Sequence, residues 1–345
     1  MRFKRIFPVH EIASSSRVLG TPRNDKGMDL LKTTKQLCKL YDIKPARSRG
    51  QNFLIKKEIY DEIIRAANLK KTDIVLEVGP GLGFLTTRLA KIAKKVVAVE
   101  LDDKLAEVLR TSLISQGIYH VKSGDAGILP SAKLFDRVKN VEVVNDDILE
   151  FPISDFRFPI YKVVANLPYN ITSIFLRKFL SAEKKPEMMV LMLQKEVAER
   201  IIASPPKMSL LAVSVQFYAE VEIIEIAPAT CFWPRPEVDS AIIKLKVNPM
   251  KSRQAGILPE AKLFHGVNEK EFFRMVKIGF SAKRKMLKNN LAAGYHMTSE
   301  EAEKRIKRAG FNPKIRAQEL SVDNWIKLLT TSPIYGSVRG EKTKF

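Results

Sequence analysis

Between Ile74 and Leu193, apolar runs of strand length alternate with stretches of helical spacing, and this alternation constrains the fold more than any other feature. Ile74–Val78 precedes a helical stretch from Leu85 to Ile92, and Val96–Val99 precedes another through Leu109. Val141–Val144, Tyr161–Ala165 and Met188–Leu193 continue the series. Strands joined through helices pair in parallel, because each crossover must carry the chain back to the starting end of the sheet. The expected class is α/β, a doubly wound, Rossmann-like sheet with helices on both faces. Ligands of such sheets sit outside the carboxyl ends of the strands.

The flanking segments read differently. From Met28 to Ala67 the pattern is helix, basic loop, helix, with Ile59, Ile63 and Ile64 at helical spacing. After a helix over Glu196–Ile202, the runs Val213–Tyr218, Val221–Ile226 and Ala241–Val247 predict antiparallel strands added at the sheet edge. From Glu269 onward the pattern is helical and rich in lysine and arginine. The expected organisation is an extension over 1–27, an α/β domain over 28–250 with an insert near 113–138, and a linker over 251–268. A smaller all-helical C-terminal domain over 269–332 and a tail over 333–345 complete it. Ala126–Phe135 is nearly repeated as Ala255–Phe264. Two distant copies are too few to stack as a solenoid, so both read as loop inserts, where added length costs little closure entropy.

The net charge of +21 over 345 residues points to a polyanionic partner. No run of eighteen apolar residues predicts a membrane span. Two cysteines, Cys38 and Cys231, suit a reducing compartment, and four scattered histidines form no metal cluster, so no metal is expected. The N-terminus lacks the apolar core of a secretory signal. A cytoplasmic location is expected, with a mitochondrial one as the alternative.

Leu76-Glu77-Val78-Gly79-Pro80-Gly81-Leu82-Gly83 is a glycine-rich turn at the end of a predicted strand. The position where a dinucleotide fingerprint wants its third glycine holds Phe84, which argues against close approach of a pyrophosphate. S-adenosyl-L-methionine has no pyrophosphate. Its ammonium suits Glu77, directly or through water, and its ribose hydroxyls suit Glu100, since a carboxylate accepts two hydrogen bonds. Asp146 is placed for the adenine amino group with Ile148 as an apolar contact, although Asp146 or Asp147 could equally cap a helix. Val164-Ala165-Asn166-Leu167-Pro168-Tyr169-Asn170 sets an amide, a proline-stiffened turn and an aromatic ring after another strand. That corner can offer acceptors to an amino group on a flat ring while stacking on its face.

With these pieces together, the chain resembles the small-subunit (16S) ribosomal RNA adenine dimethyltransferase family from about Lys44 to Leu329, apart from the inserts. Gly50-Gln51-Asn52-Phe53-Leu54 is similar to the family's first motif, which implies that Gln51, Asn52 and Leu54 line the cofactor pocket. Glu77–Gly83 and Asn166–Tyr169 resemble its cofactor and target-amine motifs, with Leu101 beside Glu100, and Asn166 itself, in the expected cofactor set. Leu193–Arg200, Phe232–Ser240 and Phe280–Leu287 resemble its later motifs. The resemblance implies a class I methyltransferase sheet that dimethylates the N6 amines of two adjacent adenosines near the 3′ end of small-subunit rRNA. The substrate would be an immature 30S particle, and the enzyme a monomer. Asn166 and the Leu167 carbonyl would accept the amine hydrogens, while Tyr169, after Pro168, and Phe232 would sandwich the extruded base. Arg47, Arg49, Lys283, Arg284 and Lys285 would hold phosphates. Lys207-Met208-Ser209-Leu210 departs from the family's glycine–arginine character there. Rival readings are a large-subunit rRNA methylase of the macrolide-resistance type, a noncatalytic mitochondrial transcription factor on the same scaffold, and a dehydrogenase.

Overall fold

The computed structural model describes residues 29–45, 50–115, 140–153, 156–248 and 267–331. Arg47, Arg49, both near-repeated segments, the N-terminal extension and the C-terminal tail lie outside them. The first elements are α1 (Leu30–Leu40), β1 (Phe53–Leu54), α2 (Lys57–Ala67), β2 (Ile74–Val78), α3 (Phe84–Ala90), β3 (Lys95–Glu100) and α4 (Asp103–Ser115). There follow β4 (Val141–Asn145), β5 (Lys162–Asn166), α5 (Thr172–Leu180), β6 (Met188–Gln194), α6 (Lys195–Ile201), α7 (Leu210–Gln216), β7 (Ala219–Ala227), β8 (Phe232–Trp233) and β9 (Ser240–Val247). The last four helices are α8 (Glu269–Gly279), α9 (Leu287–Tyr295), α10 (Ser299–Arg308) and α11 (Val322–Thr330).

Seven strands form a mixed sheet in the order β4-β3-β2-β5-β6-β9-β7. β2 pairs in parallel with β3 on one side and β5 on the other, and β3–β4 and β5–β6 are also parallel. The strand order therefore reverses at β2, which makes the gap between β2 and β5 the place for a ligand. The strands read as continuous apolar runs because helices cover them: Val75, Val96, Ala98, Val164 and Val190 share one core cluster with Ile63, Leu85 and Leu109. A separate two-stranded pairing of β1 with β8 sets Phe53 opposite Trp233 and Leu54 opposite Phe232.

The first residue of β5 is a buried lysine. Lys162, 6% exposed, donates to Asp73 Oδ2 at 2.8 Å and to the Ala67 and Asn68 carbonyls at 3.3 and 3.0 Å. Burial pushes the Asp73 carboxyl up, but Lys162 and the Lys70 amide outweigh it and hold the carboxyl below its usual range.

The chain divides into two compact units: the described residues of Met1–Lys195 with Ile223–Leu245, and those of Glu196–Glu222 with Lys246–Phe345. The second unit thus takes in α6 and α7 as well as the C-terminal helices. Two of its helix starts are capped by side chains, Asn268 on the Glu271 amide and a Thr298–Glu301 capping box. Phe217 stacks on Phe272 with ring centres 4.3 Å apart, and Tyr218 donates to Glu269.

The strand expected over Val213–Tyr218 is a helix, α7. Ser209 caps it by accepting from the Ala212 amide at 3.1 Å, and Gln216 Nε2 donates to the Ile201 and Ala203 carbonyls at 2.7 and 2.9 Å. A short apolar run does not distinguish a strand from a buried helix by period alone, and here the cap decides.

Candidate active site

The cleft opens where β2 and β5 end, and glycines make room for it. Gly83 stands just before α3 at φ +83°, and a Cβ there would lie 2.4 Å from Leu109 Cδ1 on α4, so the start of α3 packs this closely on α4 without a side chain. The cleft has a volume of about 720 Å³ counted to its open mouth. Gln51, Asn52, Leu54, Glu77, Gly79, Gly81, Glu100, Asn166 and Pro168, all expected at the site, line it together.

Two acids meet there in different surroundings. Glu100 is 6% exposed and accepts from the Gly81 amide through Oε2 and the Asp102 amide through Oε1, both at 3.0 Å. Burial raises its pKa, against the pull of those two amides. Glu77 is 1% exposed, and neither of its oxygens has a hydrogen-bond partner. An orphaned buried carboxyl at the floor of a cleft is a strong sign that a cationic group belongs there. The ammonium of an adenosyl cofactor fits, and Glu100 retains lone pairs for ribose hydroxyls.

The target corner abuts the same cleft. Asn166 ends β5, and its Nδ2 makes a long, 3.5 Å hydrogen bond to the Asn52 carbonyl. Leu167 is buried, and its amide donates to the Met192 carbonyl at 3.0 Å, which fixes the backbone at the turn. Gly50, at the positive φ of +64° that favours glycine, sits beside the same corner: a Cβ there would stand 3.5 Å from the Tyr169 nitrogen and 3.6 Å from Pro168. Tyr169 is half-buried and its hydroxyl lies 2.8 Å from Ser240 Oγ. Phe232 is 4% exposed in the core, where pairing with Leu54 holds it. Stacking of a base on Phe232 would therefore require its ring to become exposed.

Three expected cofactor contacts, Leu101, Asp146 and Ile148, lie outside the cleft lining, as do Leu167, Tyr169 and Phe232 of the target corner. Leu101 follows Glu100 and is 56% exposed, whereas Ile148 is buried. Asp146 follows β4, two strands from β2; its amide donates to the Glu100 carbonyl at 3.0 Å and its Oδ1 accepts from the Asp147 amide at 2.8 Å. Lys178 holds the same loop through the Leu149 and Phe151 carbonyls, both at 2.6 Å.

Sequence reasoning missed several lining residues. Tyr60 carries a helical spacing signal that reads as plain core, yet it lines the cleft and its hydroxyl donates to the Leu54 carbonyl at 3.0 Å. Leu82, Phe84 and Leu105 complete the apolar wall.

In the second unit, Lys283, Arg284 and Lys285 are exposed on the turn between α8 and α9, and no ion pair among the described residues involves them. Lys283 shares a second cleft with Arg200 and Lys207, which places the departing Lys207 segment beside the basic turn. α10 is different. Lys304 pairs with Glu300 and Lys307 with Glu303, while Arg305 is buried over the Tyr295 ring. Most of that helix's charge is internally balanced. Among the described residues, no group of three His, Cys, Asp or Glu could hold a metal, and no helix is long and apolar enough to cross a membrane.

Sheet order, glycine turn and strand-end acids together define a class I methyltransferase fold. The family model for ribosomal RNA adenine dimethylase matches residues 44–126 and 128–331, and the chain belongs to that family. It is 38% identical over 309 residues to ribosomal RNA small subunit methyltransferase A of Dehalococcoides mccartyi, covering 89% of this chain and 92% of that one. Identity to the protein of the same name from Clostridioides difficile is 35% over 300 residues, covering 85% and 92%. Among solved structures, a dimethyladenosine transferase from Plasmodium falciparum superposes with a TM-score of 0.64 at 25% identity, over 82% of this chain and 98% of that one. The 23S rRNA methyltransferase ErmE gives 0.59 at 25% identity, over 81% and 99%.

Proposed function

We propose that this chain uses S-adenosyl-L-methionine to dimethylate the N6 amines of two adjacent adenosines near the 3′ end of small-subunit rRNA, on an immature 30S particle and as a monomer. The chain is an rRNA adenine dimethyltransferase by family. The observation that supports the site assignment is the closeness of its two marked turns: Gly79 and Asn166 line one cleft, and a Cβ on Gly79 would lie 3.8 Å from the Asn166 carbonyl oxygen. A cofactor on the glycine turn and a base at the Asn-Leu-Pro-Tyr corner would share one cleft.

The cofactor supplies an electrophilic methyl group on a sulfonium. The chain's part is binding and orientation. An adenine N6 lone pair is delocalised into the ring; acceptance of its two hydrogens by Asn166 Oδ1 and the Leu167 carbonyl favours a pyramidal nitrogen. That turns the lone pair toward the cofactor side of the cleft, so positioning and electrostatics do the catalysis. Tyr169 supplies a stacking face, joined by Phe232 once its ring becomes exposed. Incubation with labelled methyl donor and undermethylated 30S particles, followed by mapping of the modified nucleotides, tests the proposal. Label elsewhere than on neighbouring adenosines near the 3′ end would refute it. The likeness to ErmE favours 23S rRNA as the second substrate to try.

Two variants probe separate parts. Glu100→Ala should raise the cofactor dissociation constant about 10- to 100-fold, the worth of one or two hydrogen bonds to a charged group. Unchanged binding in calorimetry would refute the ribose role. Lys283→Glu should weaken rRNA binding and flatten its dependence on salt by about one unit of slope or more, while cofactor affinity stays put. An unaltered salt slope would remove Lys283 from the RNA contact.

A further inference from the structure

We infer that this chain captures its cofactor with release of one proton, and that Glu77 is the group that gives it up. The inference rests on the adenosyl-cofactor reading and concerns the moment at which the floor of the cleft becomes charged.

The surroundings of Glu77 carry the argument. It stands at the carboxyl end of β2, lines the cleft, and has two buried oxygens without hydrogen-bond partners. From α3 it faces the buried Thr86 hydroxyl, the neighbouring group able to donate to it. From the end of β3 it faces Glu100, a group of like charge. Tyr60 approaches from α2, and the Arg88 guanidinium lies 4.6 Å from the centre of the Tyr60 ring. Arg88 Nη1 donates to the Phe84 carbonyl at 2.7 Å.

An ionised Glu77 in that setting would be a desolvated charge beside a second carboxylate. Such a group keeps its proton instead. Burial pushes the Glu77 carboxyl up, Thr86 draws it partly back and Glu100 adds to the rise, leaving it at about 8. Glu100, with two amide donors, is equipped to carry the pair's negative charge. Arrival of a ligand with an ammonium group changes the balance, because ionised Glu77 then gains a partner. The O–H bond of Glu77 breaks, its proton goes to solvent, and the ammonium keeps all three of its own. One proton leaves and no covalent bond to the ligand forms.

The consequence is a pH-dependent affinity with a definite sign. Below the apo value, each lower pH unit should weaken binding by about tenfold, so affinity at pH 6 should fall roughly 20-fold below that at pH 7.5. A ligand α-amino group titrates near 7.7–8.0 and stays largely protonated across that window.

Calorimetric titration of the full-length protein with S-adenosylhomocysteine, at pH 7 in phosphate, HEPES and Tris, counts the protons. A plot of observed enthalpy against buffer ionisation enthalpy should give close to one proton released. Glu77→Gln should release close to none and bind with an affinity flat from pH 6 to 7.5. Binding by the native chain with no buffer dependence and no pH dependence would overturn the inference and leave the cofactor reading intact. Equal release by native protein and Glu77→Gln would also overturn it. Absence of binding at every pH would overturn the cofactor reading and this inference with it. Should Glu77→Gln fail to fold, the native chain's buffer and pH series decide alone.

Discussion

Asn166→Ala is expected to lower the rate of methyl transfer by about 10²- to 10³-fold, the usual consequence of removing one preorganised polar contact to the reacting group. Cofactor affinity should change less than about threefold, because the amide's one described hydrogen bond is long, at 3.5 Å, and spans to Asn52 rather than to the glycine turn. Single-turnover kinetics with saturating cofactor and undermethylated particles separate the two quantities. Transfer at the native rate would remove Asn166 from the chemistry. A loss confined to cofactor binding would instead make Asn166 part of the glycine-turn pocket.

Lys162→Ala is expected to destabilise the first unit by about 3 kcal/mol, read as a lower urea midpoint, because it strips the partner from a buried carboxylate. Lys162 is 6% exposed and Asp73 14%, so water replaces the lost contact poorly. The Ala67 and Asn68 carbonyls lose a donor as well. Lys162→Met with Asp73→Leu should recover much of the loss, since an apolar pair carries no unpaired charge. The sign with pH follows from Asp73, whose carboxyl lies below its ordinary value in the folded chain. The stability it contributes is present above the unfolded-state value and disappears as pH falls through the folded one. In Lys162→Ala that loss on acidification should be blunted. A midpoint unmoved by the substitution would contradict this account.

The sequence made the parallel sheet legible because its strands are unbroken apolar runs of the right length, each followed by a helical stretch. The acids and turns of the cleft were equally visible, since Glu77, Glu100 and Asn166 all fall at strand ends. What local pattern could not carry was the pairing of distant segments. No periodicity connects Phe53–Leu54 with Phe232–Trp233, yet their register buries Phe232 and steadies the cleft wall. Tyr60 looked like any core position on α2 because its hydroxyl contact is with a backbone carbonyl six residues earlier. Val213–Tyr218 misled because a short apolar run carries no period that separates strand from helix, whereas in the chain the Ser209 cap starts a helix. Nothing local in the sequence marks Arg305 as buried, because the Tyr295 ring beneath it comes from a neighbouring helix.

Val78 lies beside Ala165 in the sheet, so Gly79 and Asn166 leave neighbouring strands at the same level. Adjacent strands stand about 4.8 Å apart wherever backbone hydrogen bonds join them. Donor and acceptor supports are therefore mounted on one ruler whose graduation is the peptide repeat itself. Evolution, or an engineer, can exchange the side chains that choose a nucleic acid without recalibrating how far the carbon must hop.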